Sequence, residues 1–371
     1  MIYADNAATT QLAPEALAVM MPLLQAEYGN ASQPYSFARI AKKALKKARQ
    51  TIAECINASP EEIFFTSGGT ESDNWALKGT MFVHGDLRTL ITSQIEHHAV
   101  LNSAISIERM GYPVVYLPVN AEGVVLPEVL HNYITDNTKL VSVMFSNNEI
   151  GSIQPIKELA RIAHQQGALF HTDAVQAVGH IKIDVKEQDV DMLSASAHKF
   201  NGPKGVGFLY IKKGVTINSY NDGGSQEFGY RAGTENVAAI AGMAVALQLN
   251  CDMLEENKKN ILDMEKTLLG RLEEARIDYR RNGAHVHIPG NLSLSFKGCD
   301  GEMLLHRLDL KGICVSTGSA CDSMRTQVSH VLQAINLENE YAMGTIRISL
   351  GKLNTIDDAV TIANAIISII K

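Results

Sequence analysis

A mainly parallel α/β sheet covered by helices on both faces is the architecture this sequence predicts, and two observations predict it. Short apolar or β-branched runs recur up to about residue 211, and the stretches between them carry helical periodicity. Seven strands are expected: 62–67 (EIFFTS), 89–93 (TLITS), 114–119 (VVYLPV), 139–145 (KLVSVMF), 168–174 (ALFHTDA), 191–197 (DMLSASA) and 206–211 (VGFLYI). Helices are expected over 70–84, 97–110 and 155–166. After GGSQEFGYRAGTEN (223–236) the pattern changes. A long, mostly helical stretch to about residue 280 leads into NLSLSF, ICVS and TIRISL, with helices between and after them. A chain of 371 residues exceeds one ordinary core, so a second, smaller α/β domain is expected here. The expected boundaries are 12–250 for the large domain, and 1–11 with 251–371 for the small one. No internal repeat or low-complexity linker is visible, so close packing of the two is expected.

Composition narrows the class of partner. The net charge is −7, from 33 basic and 40 acidic residues, without the basic tract that nucleic acid or an anionic membrane would demand. The densest basic run, AKKALKKAR (41–49), has its apolar residues at helical spacing and reads as one solvated helix face. Five cysteines form no CxxC pair, and their odd number argues against a disulfide framework. No apolar run reaches membrane-spanning length, and MIYADNAATT has neither the basic nor the apolar region of an export signal. A soluble, cytoplasmic protein is expected.

In open α/β sheets ligands bind beyond the carboxyl ends of the strands. The first such end carries TSGGTESDNWAL (66–77), in which Gly68, Gly69 and Thr70 precede a helix. Glycines let the backbone approach an anion, and free N–H groups at a helix start favour a phosphate. An ordinary turn with Thr70 as cap is the plain alternative. No GxGxxG or Walker pattern is present, which disfavours a nucleotide. The next ends carry IEHHAV (95–100), SNNEIG (146–151) and HTDAVQA (171–177). His97, His98 and Asp173 could be imagined as metal ligands, but adjacent histidines at a helix start point apart and no ligand spacing recurs; no metal is expected. Asp173, ending an apolar strand, needs a cation or several donors to stay ionised. SASAHKFNGPKG (194–205) then places Lys199 after small residues and before a glycine-rich turn, where a charged amine must be held by something.

A lysine, an aspartate and a phosphate cup on one sheet edge are the parts that pyridoxal 5′-phosphate needs. Its aldehyde forms a Schiff base with a lysine, its ring nitrogen wants a carboxylate, and its phosphate wants a helix start. At this point the order of motifs resembles a known family throughout the chain. From ADNAATT through FTSGGTESDN, EHHAV, NNEIG, HTDAVQ, SAHKFNGPKG, RAGTEN and STGSAC to IRISLG, the sequence is similar to the cysteine desulfurases of the NifS/IscS type, within the class-V aminotransferases and the fold-type I pyridoxal-phosphate enzymes. The resemblance implies roles. Lys199 would hold the cofactor and later move the substrate Cα proton. Asp173 would pair with the ring N–H, Gln176 would bond the phenolic oxygen, and His97 would stack on the ring and serve in proton transfer. Gly69, Thr70, Ser196 and His198 would contact the phosphate, joined by Thr234 from the partner subunit of a homodimer. Arg347, aided by Asn148, would clamp the substrate carboxylate with its planar fork.

The resemblance also implies that Cys321, after VSTGSA and before DSMRTQ, is the nucleophile on a mobile, accessible loop. L-Cysteine would be converted to L-alanine, with its sulfur left on Cys321 as a persulfide for an acceptor such as an iron–sulfur scaffold, or for tRNA thiolation. Cys55 and Cys251 in helical patterns and Cys314 in a strand read as packing residues; Cys299, in the KGCDGE turn, stays open. The chain departs from the family in YGNASQPYSFA (28–38), where Tyr35 stands near a usual histidine, and in GGSQE (223–227). It ends at Lys371 without the extension with which longer relatives dock a scaffold, which leaves the acceptor open. A selenocysteine lyase or aminotransferase of the same fold would keep Lys199, Asp173 and Arg347 without needing Cys321. A non-catalytic sulfur-carrier subunit is the other alternative, and the intact Lys199, Asp173 and His97 argue against it.

Overall fold

The computed structural model describes residues 1–83, 85–317 and 328–371. Its elements follow in chain order: β1 (Ile2–Tyr3), α1 (Pro14–Gln25), α2 (Arg39–Cys55), β2 (Ile63–Thr66), α3 (Gly69–Met81), β3 (Thr89–Ser93), α4 (His98–Arg109), β4 (Val114–Leu117), α5 (Pro127–Tyr133), β5 (Thr138–Ser142), α6 (Ile156–Gln165), β6 (Leu169–Asp173), β7 (Met192–Ser196), β8 (Gly207–Ile211), α7 (Val237–Asp252), α8 (Leu254–Glu274), β9 (Tyr279–Asn282), β10 (Asn291–Phe296), α9 (Gly301–Asp309), β11 (Ile313–Cys314), α10 (His330–Ala334), α11 (Asn339–Ala342), β12 (Thr345–Ser349) and α12 (Ile356–Ile370).

All seven expected strands form one sheet, ordered β2-β8-β7-β6-β5-β3-β4 and parallel except for β8, which runs against both neighbours. Because β8 alone is reversed, the carboxyl ends of β2, β3, β5, β6 and β7 share one edge. Every residue of β5, β7 and β8 is buried, as a parallel sheet covered on both faces requires. The apolar run 139–145 outlasts its strand. Beyond Ser142 the chain stays buried and donates from Val143 and Phe145 to the carbonyls of His171 and Asp173. Hydrophobicity thus reports burial there, and the ladder ends sooner.

One core lies around the sheet and takes in α7 residues such as Ile240 and Leu247. Another joins α8, β10, β12 and α12 through Leu268, Leu294, Ile346 and Ile362. The mostly helical stretch expected after residue 236 forms two helices, α7 and α8, bent by 70° where they meet. Each follows its own core, and this bend is where the packing changes. β9, polar in sequence as YRRN, pairs with β10 at the edge of a sheet ordered β12-β10-β9; its lack of apolar alternation hid it. α12 starts with a capping box of Thr355 and Asp358, which satisfies two otherwise unpaired N–H groups. β1 pairs with β11, and the Asp5–Thr10 stretch that follows runs into the shared edge of the large sheet. No single helix among the described residues is long and apolar enough to cross a membrane.

Candidate active site

The strand ends build the site in layers. Gly68, with φ of 148°, turns the chain out of β2 so that α3 begins with its N–H groups at the shared edge. A Cβ on Gly69 would lie 2.5 Å from Val175 Cγ2, and one on Gly207 would lie 2.7 Å from the Gly68 Cα. These glycines are therefore required by close approach, and they leave a backbone cradle at the start of a helix of 13 residues. Ser196, at the end of β7, is buried and its Oγ would lie 3.5 Å from a Cβ on Gly68. Thr70 is exposed on the first turn. His198 is part-buried, bonds Thr9 Oγ1 through Nδ1 at 3.1 Å, and is driven by burial and by the nearby Lys199 charge down to about 4. The imidazole is neutral at pH 7 and keeps one N–H to donate.

Asp173 ends β6, buried, with Oδ1 accepting from Val175 N at 2.9 Å. Burial raises its pKa, while His97 and Lys199 pull it back down. A carboxylate so placed calls for a cation. His97 caps α4, its Nδ1 accepting from Ala99 N at 3.1 Å, and burial lowers its pKa, so the ring is held neutral and oriented. Lys199 closes the 3₁₀ turn after β7 and donates from Nζ to the carbonyls of Ala7 at 2.6 Å and Ala8 at 2.9 Å. Gln176 donates to the same Ala7 carbonyl at 3.0 Å. Lysine and glutamine thus converge on one atom of the N-terminal segment.

Beneath this surface lies a second buried set. His171 Nε2 stands 3.7 Å from Asp73 Oδ1 and 3.0 Å from Ser194 Oγ, and its Nδ1 is 2.9 Å from Ser142 Oγ. Burial pushes Asp73 up and His171 down to about 3, so the imidazole is neutral at pH 7. They brace β5, β6, β7 and α3.

Arg347 in β12 is buried. Its Nη2 donates to Asp5 Oδ1 at 2.7 Å and its Nη1 to the Asn148 carbonyl at 3.0 Å, while Nε has no partner among the described residues. Asn148 is fixed by its neighbour: Asn147 Oδ1 accepts from the N–H groups of Glu149 and Ile150, and its Nδ2 donates to the Ile95 carbonyl at 2.8 Å. The NNEIG turn and the histidine turn are thereby one unit. Cys321 lies outside the described residues. On either side of that gap, Ser316 pairs by backbone with Arg347, and Ser329 donates to Glu149 Oε2 at 2.5 Å. Thr234 is exposed, three positions from Arg231, which holds Glu71 on the first turn of α3 at 2.8 Å.

Several participants escaped the sequence reading. Asp5, Ala7 and Ala8 belong to ADNAATT, a motif whose presence was visible but whose contacts were not. Glu96 is another. Fully buried behind His97, it accepts from Ser93 Oγ at 2.6 Å and from Met144 N at 3.0 and 3.1 Å, and burial raises its pKa from 4.5 to about 8. The stability this protonated acid contributes is complete below about pH 4.5 and is lost as pH rises through about 8. In Glu96→Gln the fall in Tm between about pH 5 and pH 8 should flatten; an unchanged slope would show that Glu96 is ionised throughout.

The site fits pyridoxal phosphate by the chemistry of its donors: a glycine cradle at a helix start for a dianion, a buried carboxylate for a protonated ring nitrogen, and an amine at the same edge. Fold and site together define a fold-type I pyridoxal-phosphate enzyme. The aminotransferase class-V family model matches residues 2–361. A protein of Clostridium botulinum named cysteine desulfurase IscS is 46% identical over 374 residues, covering 100% of this chain and 94% of that one. One of the same name from Methanosarcina thermophila is 45% identical over 358 residues, covering 96% and 89%. Among solved structures, a NifS-like protein superposes with a TM-score of 0.94 at 38% identity over 100% of this chain and 99% of that chain. A structure of SspA in complex with cysteine gives 0.85 at 34% identity, covering 95% and 99%. The chain belongs to the class-V aminotransferases and, within them, to the cysteine desulfurases.

Proposed function

We propose that this cysteine desulfurase divides its chemistry between the sheet edge and Cys321, and that L-cysteine is its substrate. The observation that carries the reading is the convergence of Lys199, Asp173 and His97 beside the glycine cradle, since each raises or lowers the pKa of another. When bound, the cofactor supplies an aldehyde that condenses with amines and a ring that accepts the electron pair left at the substrate Cα. Gly69, Thr70, Ser196 and His198 would hold its phosphate, Asp173 would face its ring nitrogen, and Gln176 would bond its phenolic oxygen. Lys199 would hold its aldehyde, and the Nζ amine would take the substrate Cα proton. His97, neutral and fixed by Ala99, would cover the ring and pass a proton. Arg347 exchanges part of its bonding for the substrate carboxylate, with Asn148 beside it. The Cys321 thiolate attacks the substrate sulfur, and the carbon that loses it is protonated to give alanine.

Cys321 as nucleophile is supported by what the other thiols do. Cys299, left open by its sequence, packs with its Cβ within 3.2 Å of where a Gly344 Cβ would stand, and burial raises its pKa. Cys314 lies in β11. Residues 12–250 and the remainder are proposed as the two units that meet at Arg347 and Asn148. An acceptor protein such as an iron–sulfur scaffold receives the persulfide in the cytoplasm. Borohydride treatment of purified holoenzyme should abolish its visible absorbance and leave the cofactor fixed to the peptide containing Lys199. Fixation to any other peptide would contradict the assignment.

A homodimer belongs to the same proposal. Leu17, Met21 and Leu24 share one face of α1 and are 45%, 40% and 56% exposed, and Tyr28, Phe37 and Ile40 continue that apolar surface. A second copy covers it and brings Thr234 to its neighbour's phosphate. Sedimentation should give a dimer. Leu24→Asp should dissociate it and shed cofactor in proportion, and a monomer that keeps cofactor and full activity would contradict the proposal.

A further inference from the structure

Away from the active site, Cys55 ends α2 and Cys251 lies one residue from the end of α7, and these two helices pack against each other. Both thiols line one cavity of about 390 Å³, whose apolar wall includes Val178, Ile181 and Leu247 and whose border carries Lys182. Cys55 Sγ also lies 3.8 Å from Gln248 Oε1, three residues before Cys251 on the same helix. Both cysteines are partly exposed. Separately, each thiol acts on the other: Cys55 lowers the pKa of Cys251, and Cys251 together with burial raises that of Cys55. Their positions in helical patterns suggested packing residues, and both do pack against the core around the sheet. The structure also brings them to one cavity from positions far apart in sequence.

We propose that Cys55 and Cys251 are an oxidisable thiol pair, closed to an intramolecular disulfide by a peroxide that enters this cavity. The Cys251 thiolate attacks the O–O bond, one oxygen leaves as hydroxide, and the sulfur becomes a sulfenic acid. Cys55 sulfur then displaces the second oxygen, which leaves with the protons as water. One hydrogen peroxide is reduced to two waters, and two thiols are oxidised to one disulfide. The bridge ties the end of α2 to α7 two residues before Met253, at the bend where α7 gives way to α8 and one core to the other. Its effect is a covalent clamp between two helices of the core around the sheet, made without using Cys321.

The test treats purified holoenzyme with hydrogen peroxide, alkylates the remaining thiols and maps the unreduced digest by mass spectrometry. A linked peptide pair containing Cys55 and Cys251, with alkylation lost at both, is expected in the wild type and in Cys321→Ser. Reductant should restore alkylation at both positions. Cys55→Ser and Cys251→Ser should each abolish the linked pair while keeping the circular dichroism spectrum and untreated activity of the parent. Continued alkylation of both thiols under doses that oxidise Cys321, or a link from either to a different cysteine, would overturn the proposal. So would irreversible over-oxidation of both in place of a bridge.

Discussion

Lys199→Ala should purify as a folded protein that has lost at least about a thousandfold in alanine formation. The loss follows from position. Lys199 Nζ is held by the Ala7 and Ala8 carbonyls at the edge where its charge acts on Asp173 and His97. The fold should survive, because the 3₁₀ turn of Ala197–Lys199 is secured by backbone bonds from Ala197 and Phe200 and by Asn201, none of which uses the amine. Noncovalent cofactor should remain, since the glycine cradle and Asp173 are untouched, and borohydride should no longer fix it. The measurement is paired: alanine release and the absorbance of the bound cofactor. Retained turnover, or complete failure to bind cofactor in a folded protein, would contradict the role assigned.

Cys321→Ser should stop the reaction at a different point. Serine preserves shape closely but is scarcely ionised at neutral pH, whereas a thiol of ordinary pKa near about 8.5 supplies some thiolate. With Lys199, Asp173, His97 and Arg347 intact, the variant should bind cofactor and change its absorbance when L-cysteine is added. Neither protein-bound sulfur nor catalytic alanine should accumulate, with a loss of roughly a hundredfold or more. Cys299→Ser, removing a thiol that burial holds protonated, should turn over normally. The opposite pattern would move the nucleophile to Cys299. Normal turnover in both variants would favour a lyase or aminotransferase reaction that has no use for a thiol.

The large sheet was legible because its strands are buried on both faces: IFFT and GFLYI announce themselves without any pairing information. The polar residues at their ends were legible for a related reason, since Asp173 and Lys199 interrupt apolar surroundings where charge is costly. What the sequence could not disclose were the partners reached through folding. Asp5 and Arg347 are separated by most of the chain and meet at 2.7 Å. Glu96 reads as one more polar residue in a turn, and only its burial against Met144 N makes it a support for His97. β9 shows no alternation because it sits at a sheet edge, with Arg280 turned towards Glu338 at 2.7 Å. The kinship of Cys55 and Cys251 is likewise a product of helix packing, which no local pattern encodes.

The most direct test of the central claim is one incubation of purified holoenzyme with L-cysteine in the absence of reductant, measuring alanine and protein-bound sulfane sulfur in the same sample. Sulfur transfer to Cys321 requires that the two appear together in equal amounts during the first turnover, with the sulfur on the Cys321 peptide. Turnover should then slow until a thiol acceptor is added, and resume with it. Alanine formed with free sulfide and no protein-bound sulfur, or pyruvate in place of alanine, would contradict the account.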